Sequence, residues 1–170
     1  MSSMSMFYKS IFDALSAHKI RYVVVGGVAV VLHGVVRLTA DLDLAISLDP
    51  DNLKKFVEVM DELGFTPRAP VGVQEFVSPA CRASWKKEKG MVAFTFYHPQ
   101  KTIQQVDVFI EDIIPFADLE RDAVTFDIFG INVKVVSFPH LKQLKLISGR
   151  PEDMADLEAL DEIGGMNAAS

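Results

Sequence analysis

Three aspartates carry the strongest chemical signal in this chain. Asp41 and Asp43 stand in the alternation Asp41-Leu42-Asp43-Leu44, and residues two apart in a strand project from one face about 6.6 Å apart. Both carboxylates then point one way while Leu42 and Leu44 point into a core. At an effective dielectric near 20, two such charges about 6 Å apart repel by about 3 kcal/mol. Something positive belongs between them. Magnesium answers this, because it takes oxygen ligands and is usually held by one or two carboxylates plus substrate phosphates. The competing reading is a solvated strand face. Asp107 lies in Val106-Asp107-Val108-Phe109, an apolar strand end where a carboxylate loses solvation energy unless exposed or paired. Placed beside Asp41 and Asp43 it would be a third ligand.

Just upstream, Tyr22 to Val25 is an apolar, mostly β-branched run that stops at Gly26 and Gly27, as expected of a central strand covered on both faces. Val28 to His33 then reads as a short helix closed by Gly34. Glycine lets the backbone turn sharply and approach a ligand closely. The pair therefore serves either a tight strand-to-helix turn or a place where an anion meets backbone amides. Val35 to Ala40 carries Arg37 and Thr39 into the acidic strand, Asp41 to Ser47. Arg37 is either a phosphate contact or a bridge to Asp41 or Asp43.

The remaining elements must position these groups. Residues 5 to 18 have helical spacing of Phe7, Ile11 and Leu15. Asp49 caps and Pro50 opens a crossover helix with a Leu53, Phe56, Val57, Met60 and Leu63 stripe, closed by Gly64. Residues 65 to 80, rich in proline, resist a regular assignment. Arg82 to Lys89 reads as a turn carrying Trp85 among lysines, either a half-buried indole or a stacking platform for a base. Two hairpins follow, Met91 to Tyr97 with Ile103 to Ile110, and Ala123 to Phe129 with Ile131 to Ser137 around Gly130. Phe138-Pro139 starts a helix with Leu141, Leu144 and Ile147 inward, leaving Lys142 and Lys145 for the surface or a ligand, and Gly149 stops it. Pro151 starts the last helix, packed through Met154, Leu157 and Leu160, with a frayed tail from Gly164. His33 and His140 sit near helix ends, where capping or packing suffices to explain them. The pattern predicts an α/β (α+β) chain with a mixed β-sheet flanked by helices. Residues 1–170 are expected to form a single domain with a helical C-terminal part at about 138–163.

Composition narrows the function classes. A chain of 170 residues with 49% hydrophobic and 24% charged residues supports a packed globular core. The net charge of −6 argues against a broad basic surface for nucleic acid. Cys81 has no partner for an intramolecular disulfide, which suits a reducing cytoplasm. The first residues lack the pattern of a signal peptide, and the apolar run Val23 to Leu32 is too short for a membrane span of about 20 residues. A soluble cytoplasmic protein with no membrane partner is expected.

Taken together, a Gly-Gly turn, Asp-x-Asp on the next strand and an aspartate on a later strand resemble the nucleotidyltransferase superfamily that includes the DNA polymerase β palm. The run GGVAVVLHGVVRLTADLDLAI is similar to the signature of small prokaryotic nucleotidyltransferases related to the abortive-infection type IV toxins, in which an arginine and a threonine precede the acidic pair. Lys145, Arg150, Asp153 and Asp156 resemble the late motif of that branch. The resemblance spans residues from about 20 to 160. It departs at Gly27, where many relatives have serine, and at Glu152, where a basic residue is common.

The resemblance implies a polymerase β palm-like fold, with Asp41, Asp43 and Asp107 as catalytic, metal-binding residues for two magnesium ions. Gly26, Gly27, Arg37, Thr39, Lys145 and Arg150 would then bind a nucleoside triphosphate. The expected reaction moves a nucleoside monophosphate to an acceptor hydroxyl with release of pyrophosphate; the acceptor is a small molecule, a tRNA end or a protein. The alternative is a catalytically silent module that binds a nucleotide or a protein partner within a toxin–antitoxin type pair. A third reading, a ribonuclease or phosphatase, uses the same carboxylates with water as nucleophile.

Overall fold

The four residues of β1 (Tyr22–Val25) are all buried, as their lack of polar side chains requires. Around this strand the computed structural model, which describes residues 3–169, assembles a seven-stranded mixed sheet. β1 pairs antiparallel with β2 (Leu42–Ile46). Beyond β2 come β3 (Thr66–Pro67), β4 (Ala93–His98) and β5 (Lys101–Phe109), and beyond β1 come β6 (Val124–Ile128) and β7 (Ile131–Val135), in the order β3-β4-β5-β2-β1-β7-β6. Two contacts are parallel, β2 with β5 and β1 with β7. The chain is thus a mixed-sheet α+β protein, as its pattern predicts.

Register fixes what each face carries. Leu42 lies opposite Val106 and Leu44 opposite Val108, while Phe94 and Phe96 of β4 face Val108 and Val106. All six are at most 1% exposed. Helices α1 (Ser3–Ala17), α3 (Pro50–Glu62), α4 (Val73–Val77) and α5 (Pro79–Lys89) cover this face. Phe12 stacks on Tyr22, Phe56 meets Phe96 edge-on at 5.7 Å, and Phe76 and Trp85 stack on Phe94 at 4.9 and 5.2 Å. Removing one such ring would cost about 3–5 kcal/mol. The alternate residues, Asp43, Asp107, Thr95 and Gln105, point to the opposite face. Along the chain, α2 (Gly26–Leu32) follows β1 and α6 (Phe116–Asp122) precedes β6. α2 packs on β2 and α7 (Phe138–Ser148), and α7 packs on α8 (Pro151–Ala169). No helix among the described residues is long and apolar enough to cross a membrane.

Several local expectations change. The stretch expected to be irregular, 65 to 80, holds β3, α4 and the start of α5. The expected turn at Arg82 to Lys89 is the body of α5. Ser78 caps it by accepting the Cys81 amide at 3.3 Å, with Pro79 in the first turn, a start signal visible in the sequence. Trp85 is consequently a core residue, 6% exposed, and offers no stacking platform. The tail does not fray at Gly164. α8 continues to Ala169, and Gly164 packs against the Phe138 ring, which would lie 3.3 Å from a Cβ there. The Asp49 cap, accepting from the Asp51 amide at 3.1 Å, and the turn at Gly130 are as expected.

Candidate functional site

The sharp turn from β1 into α2 is made by Gly26, whose φ of +65° lies in the left-handed region. The helix begins at Gly26 rather than Val28, so both glycines belong to its first turn. Space imposes a second requirement: a Cβ on Gly26 would lie 2.7 Å from the Cβ of Asp43. The backbone and carboxylate are therefore in direct contact, and the Gly27 amide donates to Asp43. Gly27 is tight as well, because a Cβ there would stand 2.6 Å from Thr39 Oγ1 and 3.4 Å from Arg37 Nη2. Thr39 Oγ1 thus occupies the space that a side chain at Gly27 would need.

Asp43 lies in register with Asp107 across the parallel β2–β5 pair, so both carboxylates leave the same face. Thr95 Oγ1 donates to Asp107 Oδ1 at 2.6 Å, and Gln105 Nε2 lies 3.2 Å from Oδ2. Asp41 directly precedes β2. Burial first, then the charge of Asp107 and that of Asp41, push the Asp43 carboxyl up to about 7, against the lowering effects of Gly27 and Lys145. Burial and Asp107 also raise Asp41, and Arg68 opposes the rise. Among the described residues none of the three aspartates forms an ion pair, and no group of three or more His, Cys, Asp or Glu side chains stands close enough together to hold a metal ion. Asp41, Asp43 and Asp107 stand in mutual electrostatic range, and carboxylate oxygens are the kind of donor a hard divalent cation takes.

The cations expected at the site pair with Asp153 and Asp156 rather than with Asp41, Asp43 or Asp107. Lys145 faces inward, 6% exposed, with Nζ 2.9 Å from Asp153 Oδ1 and 2.9 Å from Asp156 Oδ2. Arg150 Nε donates to Asp153 Oδ2 at 2.9 Å. Arg37 pairs with Asp156, not with Asp41 or Asp43. The apolar stripe shifts in exchange: Leu141, Leu144, Leu157 and Leu160 are buried, whereas Ile147 and Met154, expected to pack, are 56% and 42% exposed. Lys142 remains at the surface, paired with Asp161. Burial raises the Asp153 carboxyl, but hydrogen bonds from Arg150, Lys145 and Ser148 outweigh it and hold the group well below the usual carboxylate range.

Two further groups, Arg68 and Tyr8, reach the aspartates without a signal in the sequence. Arg68 lies over the Tyr97 ring at 4.9 Å, donates to Gln105 Oε1 at 3.0 Å and lowers Asp41. Through Gln105 it forms a relay to Asp107. Tyr8 on α1 has a buried hydroxyl with no partner among the described residues, and burial together with Asp41 and Asp43 raises its pKa. Asp156, named in the late motif of the sequence, joins Arg37 to Lys145. His33 is structural: its Nε2 lies 2.7 Å from the Val136 carbonyl and its ring packs between Phe126 and Phe138. Cys81 is half-buried and free.

No protein-family model matches the chain, and no curated protein matches it. Solved structures do. An antigenic nucleotidyltransferase-like protein from Paracoccidioides brasiliensis aligns with a TM-score of 0.56 and 20% identity, over 94% of this chain and 77% of its own. The lincosamide antibiotic adenylyltransferase LnuA, solved with lincomycin bound, aligns with a TM-score of 0.59 and 17% identity, over 96% of this chain and 98% of its own. ANT(2'')-Ia, solved in complex with adenylyl-2''-tobramycin, gives a TM-score of 0.60 and 12% identity over 99% and 97%. With a mixed seven-stranded sheet that places Asp43 beside the Gly26 turn and opposite Asp107, this chain has the nucleotidyltransferase fold.

Proposed function

We propose that the protein transfers a nucleoside monophosphate from a nucleoside triphosphate to an acceptor hydroxyl, releasing pyrophosphate. The observation that carries this reading is the register of Asp43 with Asp107 on parallel strands beside the Gly26–Gly27 turn. Two carboxylates from different parts of the chain share one face, and the fold holds them there against their mutual repulsion. Asp41, Asp43 and Asp107 would hold magnesium, which when bound supplies charge neutralisation on the triphosphate and activation of the acceptor hydroxyl.

The chain's own groups divide the remaining work. The lack of side chains at Gly26 and Gly27 lets Asp43, Thr39 and Arg37 crowd against the turn, and the Thr39 hydroxyl and Arg37 Nη2 beside Gly27 would meet the phosphate oxygens. Arg37 and Lys145 steady the phosphates electrostatically, and Arg150 supports them through Asp153. Asp107 would take the acceptor proton, its carboxylate oriented by Thr95 at Oδ1 and Gln105 at Oδ2.

LnuA and ANT(2'') were solved with an antibiotic and an adenylylated antibiotic, and nearly the whole of this chain aligns with nearly the whole of each. A small-molecule hydroxyl is therefore the first acceptor class to try. Pyrophosphate release from each of the four nucleoside triphosphates, with magnesium and again with chelator, tests the function in wild type and in Asp41→Asn. Magnesium-dependent release that disappears in a folded Asp41→Asn supports it. Retained turnover in that variant removes the site assignment, and triphosphate binding without turnover across the acceptor panel favours the silent binding module.

A further inference from the structure

We infer that Asp156 is a positioning residue that aims Arg37 and Lys145 at the triphosphate, an inference that rests on the nucleotidyl-transfer reading above. One oxygen does both jobs: Oδ2 accepts from Arg37 Nη1 and from Lys145 Nζ. The side chain is only 7% exposed, so water does not substitute freely for either partner.

Arg37 depends on this contact because little else holds it. It stands on the connector between α2 and β2, flanked by Val36 and Leu38, which are 100% and 97% exposed. Packing there does not fix a long side chain. Its Nε donates to the carbonyl of the adjacent Leu38 at 3.2 Å, and its Nη2 faces the Gly27 turn. With Nη1 on Asp156 and Nε on the backbone, Nη2 is the nitrogen presented toward the place where phosphate oxygens would meet Gly27.

Lys145 gains the same direction from the other side. Asp153 and Asp156 take two of its three protons, and its charge lowers Asp43, so the ammonium acts on the catalytic face from behind. The two aspartates are not equivalent. Asp153 Oδ2 accepts the Arg150 amide at 3.1 Å as well as Arg150 Nε, which makes it a cap for the start of α8. Asp156 caps nothing and holds two cations side by side that would otherwise repel. Loss of Asp156 leaves Lys145 with Asp153 but leaves Arg37 with only a neighbouring carbonyl.

The test is calorimetric titration of ATP, GTP, CTP and UTP, each with magnesium, into wild type, Asp156→Asn, Asp156→Glu, Arg37→Gln and the Arg37→Gln/Asp156→Asn double variant. Asp161→Asn serves as control, because it breaks a surface pair between the same two helices. The expected result is a loss of about tenfold or more in triphosphate affinity for Asp156→Asn and Arg37→Gln alike, the size of one charge-assisted hydrogen bond. The double variant should be no more than about twofold weaker than the single ones, Asp156→Glu should recover part of the loss, and Asp161→Asn should bind as wild type does. A purely structural Asp156 would lower the unfolding midpoint and leave affinity unchanged below it.

Affinity within about twofold of wild type in Asp156→Asn, or losses that add in the double variant, overturns the inference. Should Asp156→Asn not fold, Arg37→Gln decides alone: wild-type affinity in that variant overturns it. If the wild-type protein binds none of the four triphosphates, the nucleotidyl-transfer reading fails and this inference falls with it.

Discussion

Asp43 and Asp153 are both drawn out of solvent, yet their carboxyls are pushed in opposite directions. Asp43 sits with Asp41 and Asp107 and is raised to about 7 by burial and like charge. Asp153 sits between Lys145 and Arg150 and is held well below the ordinary range. The region between α7 and α8 completes its own ion pairs. The face of β2 and β5 does not. A folded chain retains such an uncompensated cluster only if the rest of the fold outweighs its repulsion, and a bound cation relieves that repulsion. The paired region fixes geometry, and the unpaired region is where a ligand's charge changes most.

Breaking either side of this contrast has a defined signature. The largest effect is expected for Asp43→Asn, which should cut magnesium-dependent pyrophosphate release by about a thousandfold while leaving the thermal midpoint equal to wild type or higher. Asp153→Ala should do the reverse. It strips partners from a buried Lys145 and from Arg150, and denaturant unfolding at neutral pH should show a loss of about 3–5 kcal/mol. Gly26→Ala should lower stability by about 1–3 kcal/mol through its positive φ and also weaken magnesium binding, since the new Cβ displaces Asp43.

The pH dependence separates the two aspartates by sign. The folded pKa of Asp153 lies below the unfolded value near 3.8, so its stabilisation is present above that pH and is lost as pH falls. Asp43 is raised from 3.8 to about 7. The folded state then holds the proton more tightly than the unfolded chain, so its contribution is full below pH 3.8 and is lost as pH rises through about 7. In chelator, unfolding free energy should carry a falling component across that window, which Asp43→Asn removes and saturating magnesium reduces. The smallest effect is expected for Lys142→Ala. Its pair with Asp161 joins the same helices as Lys145 but is exposed, so chemical unfolding should register less than about 1 kcal/mol.

What the sequence alone determined was set by short-range geometry. The period of a strand set Asp43 on the face opposite to Leu42 and Leu44, while Asp41, expected as the first residue of that strand, lies just before it. Glycine was needed where β1 turns into α2, and Asp49 with Pro50 marked the start of α3, because capping and backbone dihedrals are decided within a few residues. The Ser78-Pro79 start of α5 was equally local, and the crowding of prolines around it obscured it. The tertiary structure alone decided which distant groups compensate one another. Helical periodicity turns Ile147 inward and leaves Lys145 for the surface or a ligand, since a lone buried ammonium is strongly disfavoured. Only Asp153 and Asp156, arriving on α8, make the reverse arrangement stable. Likewise Asp107 faces Asp43 because β5 docks parallel to β2, and Arg37 turns to Asp156 rather than to the nearer aspartates in sequence. Burial of charge depends on partners far along the chain, which no local pattern specifies.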